Sequence, residues 1–328
     1  MRFSNIKGQS PRGVKAFAYR ALHVVVPVVL IAFVVWSVGA GDVLARLAGA
    51  HPGWVLASLV ACSAQMVLCS YRWRLTAARL GTDIRPGAAI SEYYLSSLVN
   101  STVPGGVLGD ALRAVRTKGA AGLERAAQSV IIERLAGQIA LGAALLLGLF
   151  LSGQPALQNI ALIASIALVV TLLLLRLARG PLRARLLPGI VRRFLSAMRV
   201  SWLHRSAAAP QVILSVLIVA ANLAAFAFAA RATGAVMGFP DVLYAVPLIL
   251  AAMLIPFSVA GWGYREGAAA AVFPLIGASA AAGVSASVVF GAVILVASLP
   301  GLIVVFSRSA EINDAYDDAP EAHYDAAE

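Results

Sequence analysis

At 328 residues, 60% hydrophobic, 12% charged and with a mean hydropathy of +0.86, this chain is too apolar for a water-soluble domain of its length. Its apolar runs suit membrane-crossing helices rather than the alternating strands of a barrel, so the expected fold is an all-α polytopic bundle. The formal charge of +11 is unevenly spread: residues 307–328 hold seven acids and one base, leaving 25 bases against 8 acids in residues 1–306.

Residues 1–21 carry five bases and no acid ahead of an apolar run at about 22–38. That run is too long for a signal-peptide core and lacks a convincing cleavage site, so it is read as an uncleaved first span with a cytoplasmic N-terminus. A second span at about 54–70 exits at Tyr71-Arg72-Trp73-Arg74, an aromatic and basic cluster expected at a cytoplasmic interface. A broken segment follows at about 87–110, flanked by bases on both sides, as a re-entrant hairpin would be.

A third span is expected at about 129–151, with Glu133-Arg134 near its cytoplasmic start. Gly153-Gln-Pro155 turns the chain into a fourth span at about 157–175. Residues 176–210 contain eight arginines and no acid. Val191, Phe194, Leu195, Met198 and Trp202 recur there at helical spacing, the pattern of an interfacial helix held by anionic lipid, or of an ordinary basic loop. The second half contains a fifth span (about 212–230), another broken segment (about 242–263), a short apolar helix (about 267–276) and a last span (about 284–306). The spacing suggests a single transmembrane domain, 22–306, whose halves 22–152 and 211–306 are joined by the linker 176–210. The acidic tail 307–328 reads as solvated and disordered.

The two broken segments look like copies of one unit. Each is an apolar run interrupted by proline and glycine that resumes at a carboxylate close to an arginine: Pro104-Gly-Gly-Val-Leu-Gly-Asp110-Ala-Leu-Arg113, and Pro256-Phe-Ser-Val-Ala-Gly-Trp-Gly-Tyr-Arg265-Glu266. Paired interruptions of this kind point to a transporter's substrate site, because unwound backbone and charge at membrane depth are tolerated only around protein or water. The candidate binding residues are Asp110, Arg113, Glu133, Arg134, Arg265 and Glu266, with Glu92 at the margin. Asp110 and Arg113 share a helix face and can pair. Arg265 and Glu266 point about 100° apart, which suggests partners elsewhere, such as a cross-pairing between the halves. Gly105, Gly106, Gly261 and Gly263 can expose backbone N–H groups to a phosphate oxygen, and Trp262 can wall a pocket or pack at an interface. An arginine fork suits phosphate.

The plainer alternative is that these pairs neutralise one another and seal the bundle. Gln65, Gln138 and Asn222 read as links between helices. Cys62 and Cys69, about 10 Å apart along a helix, read as buried small hydrophobes without a disulfide. No metal-ligand spacing, phosphate loop or nucleophile triad is present, so neither a metal nor a cofactor is expected, and the chain is read as a non-enzyme. The bases sit beside apolar spans, where orientation and lipid head groups account for them, so no nucleic-acid partner is expected.

Taken together, Arg72-Trp73, the Pro104–Arg113 motif, Glu133-Arg134 and the Pro256–Glu266 motif resemble the membrane domain of the lysylphosphatidylglycerol synthase/flippase family over most of residues 20–306. The resemblance departs at Val107-Leu108, where many relatives are richer in glycine. It implies a bacterial inner-membrane protein that moves a lipid or lipid-linked head group between leaflets, with an anionic or phosphate-bearing lipid as partner. On that reading Arg113 and Arg265 hold the head group and Asp110 and Glu266 orient them. Synthesis of aminoacylated lipid is not expected, because only the short tail follows the last span. Two alternatives stay open: a non-transporting scaffold of a lipid-modifying pathway, and a membrane-embedded transferase using Asp110 or Glu266 as base. A homo-oligomer or an enzyme partner is compatible with all three.

Overall fold

The computed structural model describes residues 28–103, 106–177, 189–203, 205–254 and 260–306. The basic N-terminus 1–21, the acidic tail 307–328, Pro104, Gly105, Pro256 and much of the basic linker lie outside the described residues. Among the described residues there is no strand. The helices are α1 (Val28–Val38), α2 (Ala40–Ala48), α3 (Pro52–Arg79), α4 (Pro86–Thr102), α5 (Leu108–Arg116), α6 (Gly122–Leu151) and α7 (Pro155–Leu177) in the first part. They continue with α8 (Gly189–Met198), α9 (Arg205–Ala232), α10 (Phe239–Ala251), α11 (Tyr264–Val272) and α12 (Ala280–Ser298), which runs on to Phe306.

The cores of α3, α6, α9 and α12 are long and apolar enough to cross a membrane, and α1–α2, bent by 99° at Gly39, is a fifth candidate. The chain is a multi-pass membrane protein. Local sequence sets several boundaries. Pro52 occupies the first turn of α3, where its missing N–H costs nothing, and the His51 ring accepts from the Gly53 N–H. Ser279 caps α12 by accepting from the Ala282 N–H.

At the centre, α3 and α9 run antiparallel along their whole length. The His51 N–H donates to Ala232, Ser58 Oγ to the Ala225 carbonyl (2.7 Å), Arg72 Nη1 to Ser215 Oγ (3.1 Å) and Gln211 Nε2 to Thr76 Oγ1 (3.0 Å). Ala225, Ala229 and Ala230 are fully buried on α9, next to Phe226, whose ring meets Phe273 and Phe290. Small residues let backbones approach, and in lipid that close packing and the polar links between helices supply the association.

The first broken segment is a hairpin. Going back down α4 while going up α5, Asn100 Oδ1 accepts from the Gly109 N–H (2.8 Å), Ser96 Oγ donates to Asp110, and Arg116 forms two 2.8 Å bonds with Glu92. The helices touch at Gly109, where an added Cβ would lie 2.0 Å from the Ser96 carbonyl oxygen. The second segment also folds back, since Val272 at the end of α11 and Ile276 just beyond it pack on the cluster that holds Tyr244 and Ala245 near the start of α10. The first hairpin enters the bundle beside the end of α3 and the start of α6, where Trp73, Ala77, Ile84, Ala114 and Ala126 cluster. The second enters from the opposite end, against Leu149 at the end of α6. The units α3–hairpin–α6 and α9–hairpin–α12 are therefore copies of one arrangement in opposite directions.

Two boundaries differ from expectation. The second span reaches Arg79 rather than stopping near residue 70, so Arg72 and Trp73 are 2% and 0% exposed inside the bundle instead of anchoring an interface. The third span begins at Gly122, which places Glu133-Arg134 about 17 Å along the helix axis rather than near its start. In the linker, Phe194, Met198 and Trp202 pack on Leu80 and Ile132, so that part of the α8 stripe and the turn after it faces the bundle, while Ile190, Val191 and Leu195 stay exposed.

Candidate binding site

The tips of both hairpins border one cavity of about 500 Å³. Gly106 and Val107 line it from the first tip, Met253, Leu254, Ala260 and Gly261 from the second, and side chains of α3, α4, α5, α6, α9, α10 and α12 complete the wall. The backbone at the second tip is held in positive φ at Ala260 (50°), Gly261 (79°) and Gly263 (87°), and an added Cβ at Gly261 would lie 2.6 Å from the Met253 side chain. That conformation costs little at glycine and more at Ala260, so packing fixes it.

The charged side chains of the lining are Arg72, Asp110, Glu133 and Arg134. Arg72 bonds Glu133 through Oε1 (2.9 Å) and also through its backbone carbonyl. Arg113 stands just behind them, 1% exposed, 3.1 Å from Asp110 Oδ1 and 3.6 Å from Glu133 Oε2. Its guanidinium lies 4.5 Å from the Trp73 ring and 4.7 Å from the Tyr93 ring. Arg134 pairs with Asp110 Oδ2 at 2.5 Å, yet its side chain is 49% exposed. Each carboxylate thus meets two arginines, while only Arg134 presents a large accessible surface. Buried ion pairs of this kind lose little by being paired but leave a strongly uncompensated charge when one member is removed.

In the second half, Arg265 and Glu266 pair directly at 2.7 Å instead of finding partners in the other half. Ser287 Oγ accepts from Arg265 Nε and donates to Glu266 Oε1 (2.9 Å each), and Glu266 Oε2 accepts from the Gly263 N–H. Gly263 therefore serves as the cap of α11, and its N–H is already used. Trp262 lies 5.0 Å from the Arg265 guanidinium and packs against it rather than lining the cavity. Neither Arg113 nor Arg265 reaches the lining. Glu92 is engaged by Arg116 away from the cavity, and Gly105 falls outside the described residues.

The structure adds residues to the wall that sequence patterns assigned to packing. Gln65, Gln138 and Asn222, expected as links between helices, face the cavity, as do Cys62, Cys69, Asn100, Ser97 and Ser101. Among the described residues, Gln138 and Asn222 have no side-chain hydrogen-bond partner. Asn100 Nδ2 is buried without a partner. Three amides on three helices, at positions that would converge once α3, α6 and α9 are bundled, were the available signal.

Apolar residues at the mouth complete the geometry. Val107 (62% exposed), Leu135 (40%) and Leu254 (60%) belong to the lining and are open to the outside, so the entrance lies between the hairpin tips and α6. Inside, the polar groups share the wall with Met66, Leu141, Ile218, Leu250 and Phe290, and with the apolar rim this makes an amphiphile the natural occupant.

Among curated proteins, none matches the chain. Residues 20–301 match the family described as the lysylphosphatidylglycerol synthase TM region. That match takes in both hairpins and all but the last few residues of the final span, and the chain belongs to this family of membrane proteins of lipid metabolism or transport.

Proposed function

We propose that the chain translocates a lipid or lipid-linked head group between leaflets, without covalent chemistry. The observation that supports this best is the cavity shared by two oppositely inserted hairpins, with charged and amide side chains on part of its wall and apolar side chains on the rest and at the rim. A head group enters past Val107, Leu135 and Leu254 while its tail stays in hydrocarbon. Arg134, supported by Asp110, supplies the accessible cation, whereas Arg72 and Arg113 hold the two carboxylates in place. Because the two units run in opposite directions, rocking one against the other exposes the same site first to one leaflet and then to the other.

Leaflet exchange of fluorescent lipids in proteoliposomes tests this reading. The purified chain should accelerate exchange, and Gln138→Trp, which fills the cavity from an exposed position, should abolish it without loss of folded protein. Background exchange by the native chain, or full activity of Gln138→Trp, defeats the proposal. A bacterial inner-membrane location with a cytoplasmic N-terminus goes with this reading, and cysteine accessibility at introduced terminal sites checks the orientation.

A further inference from the structure

We infer that α8 is a second lipid contact, separate from the cavity: a helix lying along the bundle at a leaflet surface, where Arg192 and Arg199 hold the phosphate groups of anionic phospholipids. The inference does not depend on what the cavity carries.

Side chains follow a definite order around α8. Ala197 is buried with Leu80 and Ile132, and Phe194 and Met198 pack on the same cluster. Val191 and Leu195 come next, about 60° and about 100° round from Phe194, and both are exposed. Arg192 lies about 60° beyond Leu195, and Arg199, one heptad further on, follows it on the same side. Exposed Ser196 comes after them. A helix lying in an interface meets its surroundings in this order: protein on one flank, acyl chains beneath, phosphates at the level of the bases, then water.

The residues that follow hold the helix in this roll. Arg199–Leu203 forms a wider π-type turn, in which Ser201 is fully buried and its Oγ donates to the Ala197 carbonyl at 2.8 Å. Trp202 joins the contact with Leu80 and Ile132. Arg193 reaches back to Glu124 on α6 at 2.7 Å. The bundle thus takes one face and one arginine, and leaves the strip of Val191 and Leu195 open.

Charge decides what covers that strip. Among the described residues Arg192 and Arg199 have no ion-pair partner, and residues 176–210 contain no acid. The same end of the bundle presents Arg85 at the start of α4, Lys118 after α5 and Arg125 in the first turn of α6, all exposed. At the opposite end, Arg46 and Arg231 stand against Asp42 and Asp241. Soluble anions would satisfy the arginines but leave Val191 and Leu195 in water. An anionic leaflet satisfies both, and a guanidinium fork fits two phosphate oxygens.

A single NBD probe tests this on the full chain in vesicles. It is attached at Leu195→Cys or, as the far-side control, at Ser196→Cys, each in a Cys62→Ala, Cys69→Ala background. In vesicles containing phosphatidylglycerol, the probe at position 195 should emit to the blue, resist iodide and be quenched by nitroxide-labelled lipid, while the probe at 196 stays open to iodide. Nitroxide quenching at 195 should fall severalfold in pure phosphatidylcholine, on combining Arg192→Gln with Arg199→Gln, and in high salt. Arg192→Lys with Arg199→Lys should keep most of the signal, and so should the cavity-filling Gln138→Trp, with thermal unfolding showing that each variant is folded. Free access of iodide to position 195 overturns the inference. Protection there from both iodide and nitroxide lipid overturns it too, because protein would then cover the strip. Quenching indifferent to phosphatidylglycerol and to loss of the two arginines overturns the role given to Arg192 and Arg199.

Discussion

Arg113 and Arg265 are held in the same way in the two inverted units. Each follows its proline by nine residues, Pro104 and Pro256, and each is 1% exposed. Arg113 lies against Trp73 and Tyr93; Arg265 lies against Trp262 at 5.0 Å and Phe290 at 5.7 Å. Each also meets a carboxylate, Asp110 in one case and Glu266 in the other. A guanidinium is planar and weakly hydrated, so it can stack on rings and bond an acid at once, which a lysine ammonium cannot. The pair fasten the two hairpins to the bundle, and the accessible cation is a different residue, Arg134.

That division of labour predicts opposite outcomes for one substitution. Arg113→Lys and Arg265→Lys should each destabilise the folded chain by about 2–4 kcal/mol, through lost stacking and incomplete pairing of a buried acid. Arg134→Lys, at a half-open side chain, should change stability by less than about 1 kcal/mol. Thermal unfolding in detergent checks both. Equal effects at all three positions would contradict the assignment.

Space around Arg265 depends on Gly291. An added Cβ there would sit within 2.8 Å of the Trp262 ring and against the Arg265 guanidinium. Neither group can retreat, because Arg265 is bonded on both sides and Trp262 stacks on it. Gly291→Ala should therefore lower the midpoint of unfolding, by about 1–3 kcal/mol in stability, despite the better helix propensity of alanine. Gly142→Ala, in α6 with nothing within 4 Å, should be neutral or stabilising by up to about 1 kcal/mol. Differential scanning fluorimetry of the two variants side by side decides the matter.

Much of this architecture could be read from the chain. Proline and glycine interrupting apolar runs announced both hairpins, because broken backbone at membrane depth needs a polar surround. Of the six charges grouped as one site, Asp110, Arg113, Glu133 and Arg134 do meet, whereas Arg265 and Glu266 pair with each other apart from them. Arg72 was misplaced for a physical reason: aromatic and basic residues at the end of an apolar run look alike whether they snorkel to an interface or turn inward, and only the packing of α3 against α6 and α9 distinguishes the two. Arg265 and Glu266 were expected to diverge because helix geometry separates neighbours, yet long side chains at the first turn of α11 converge on Ser287 of α12. Gln138 and Asn222 have no local signature at all, since a lone amide in a span serves equally well as a link between helices or as a ligand.

Cys62 and Cys69 are the chain's two cysteines, and both line the cavity while being 3% exposed. A small thiol reagent therefore reports occupancy of the cavity without any engineering. Methyl methanethiosulfonate should modify the native chain slowly, a bulky maleimide should not react on the same timescale, and saturating lipid ligand should slow the small reagent severalfold. Mass spectrometry of the intact protein follows the reaction. Rates indifferent to bound lipid would separate these thiols from the binding site.

Glu133 joins three helices, meeting Arg72 on α3 and Arg113 on α5 from its own place on α6. Glu133→Ala should thus be among the most damaging single changes in the bundle, about 3–5 kcal/mol, because it leaves two buried guanidinium groups with less counter-charge. Arg72→Ala should cost a similar amount, since it frees Glu133 Oε1 and also removes the link to Ser215 on α9. Replacing both partners by apolar residues of comparable size, Arg72→Met with Glu133→Leu, removes the charge mismatch instead of creating one. The double variant should therefore be far milder than the sum of Arg72→Met and Glu133→Leu made singly, with a coupling of about 1–3 kcal/mol. Arg113 still has Asp110 in that background, so it stays compensated. Unfolding measurements on the four proteins give the coupling directly, and simple additivity would mean that the Arg72–Glu133 contact contributes nothing of its own.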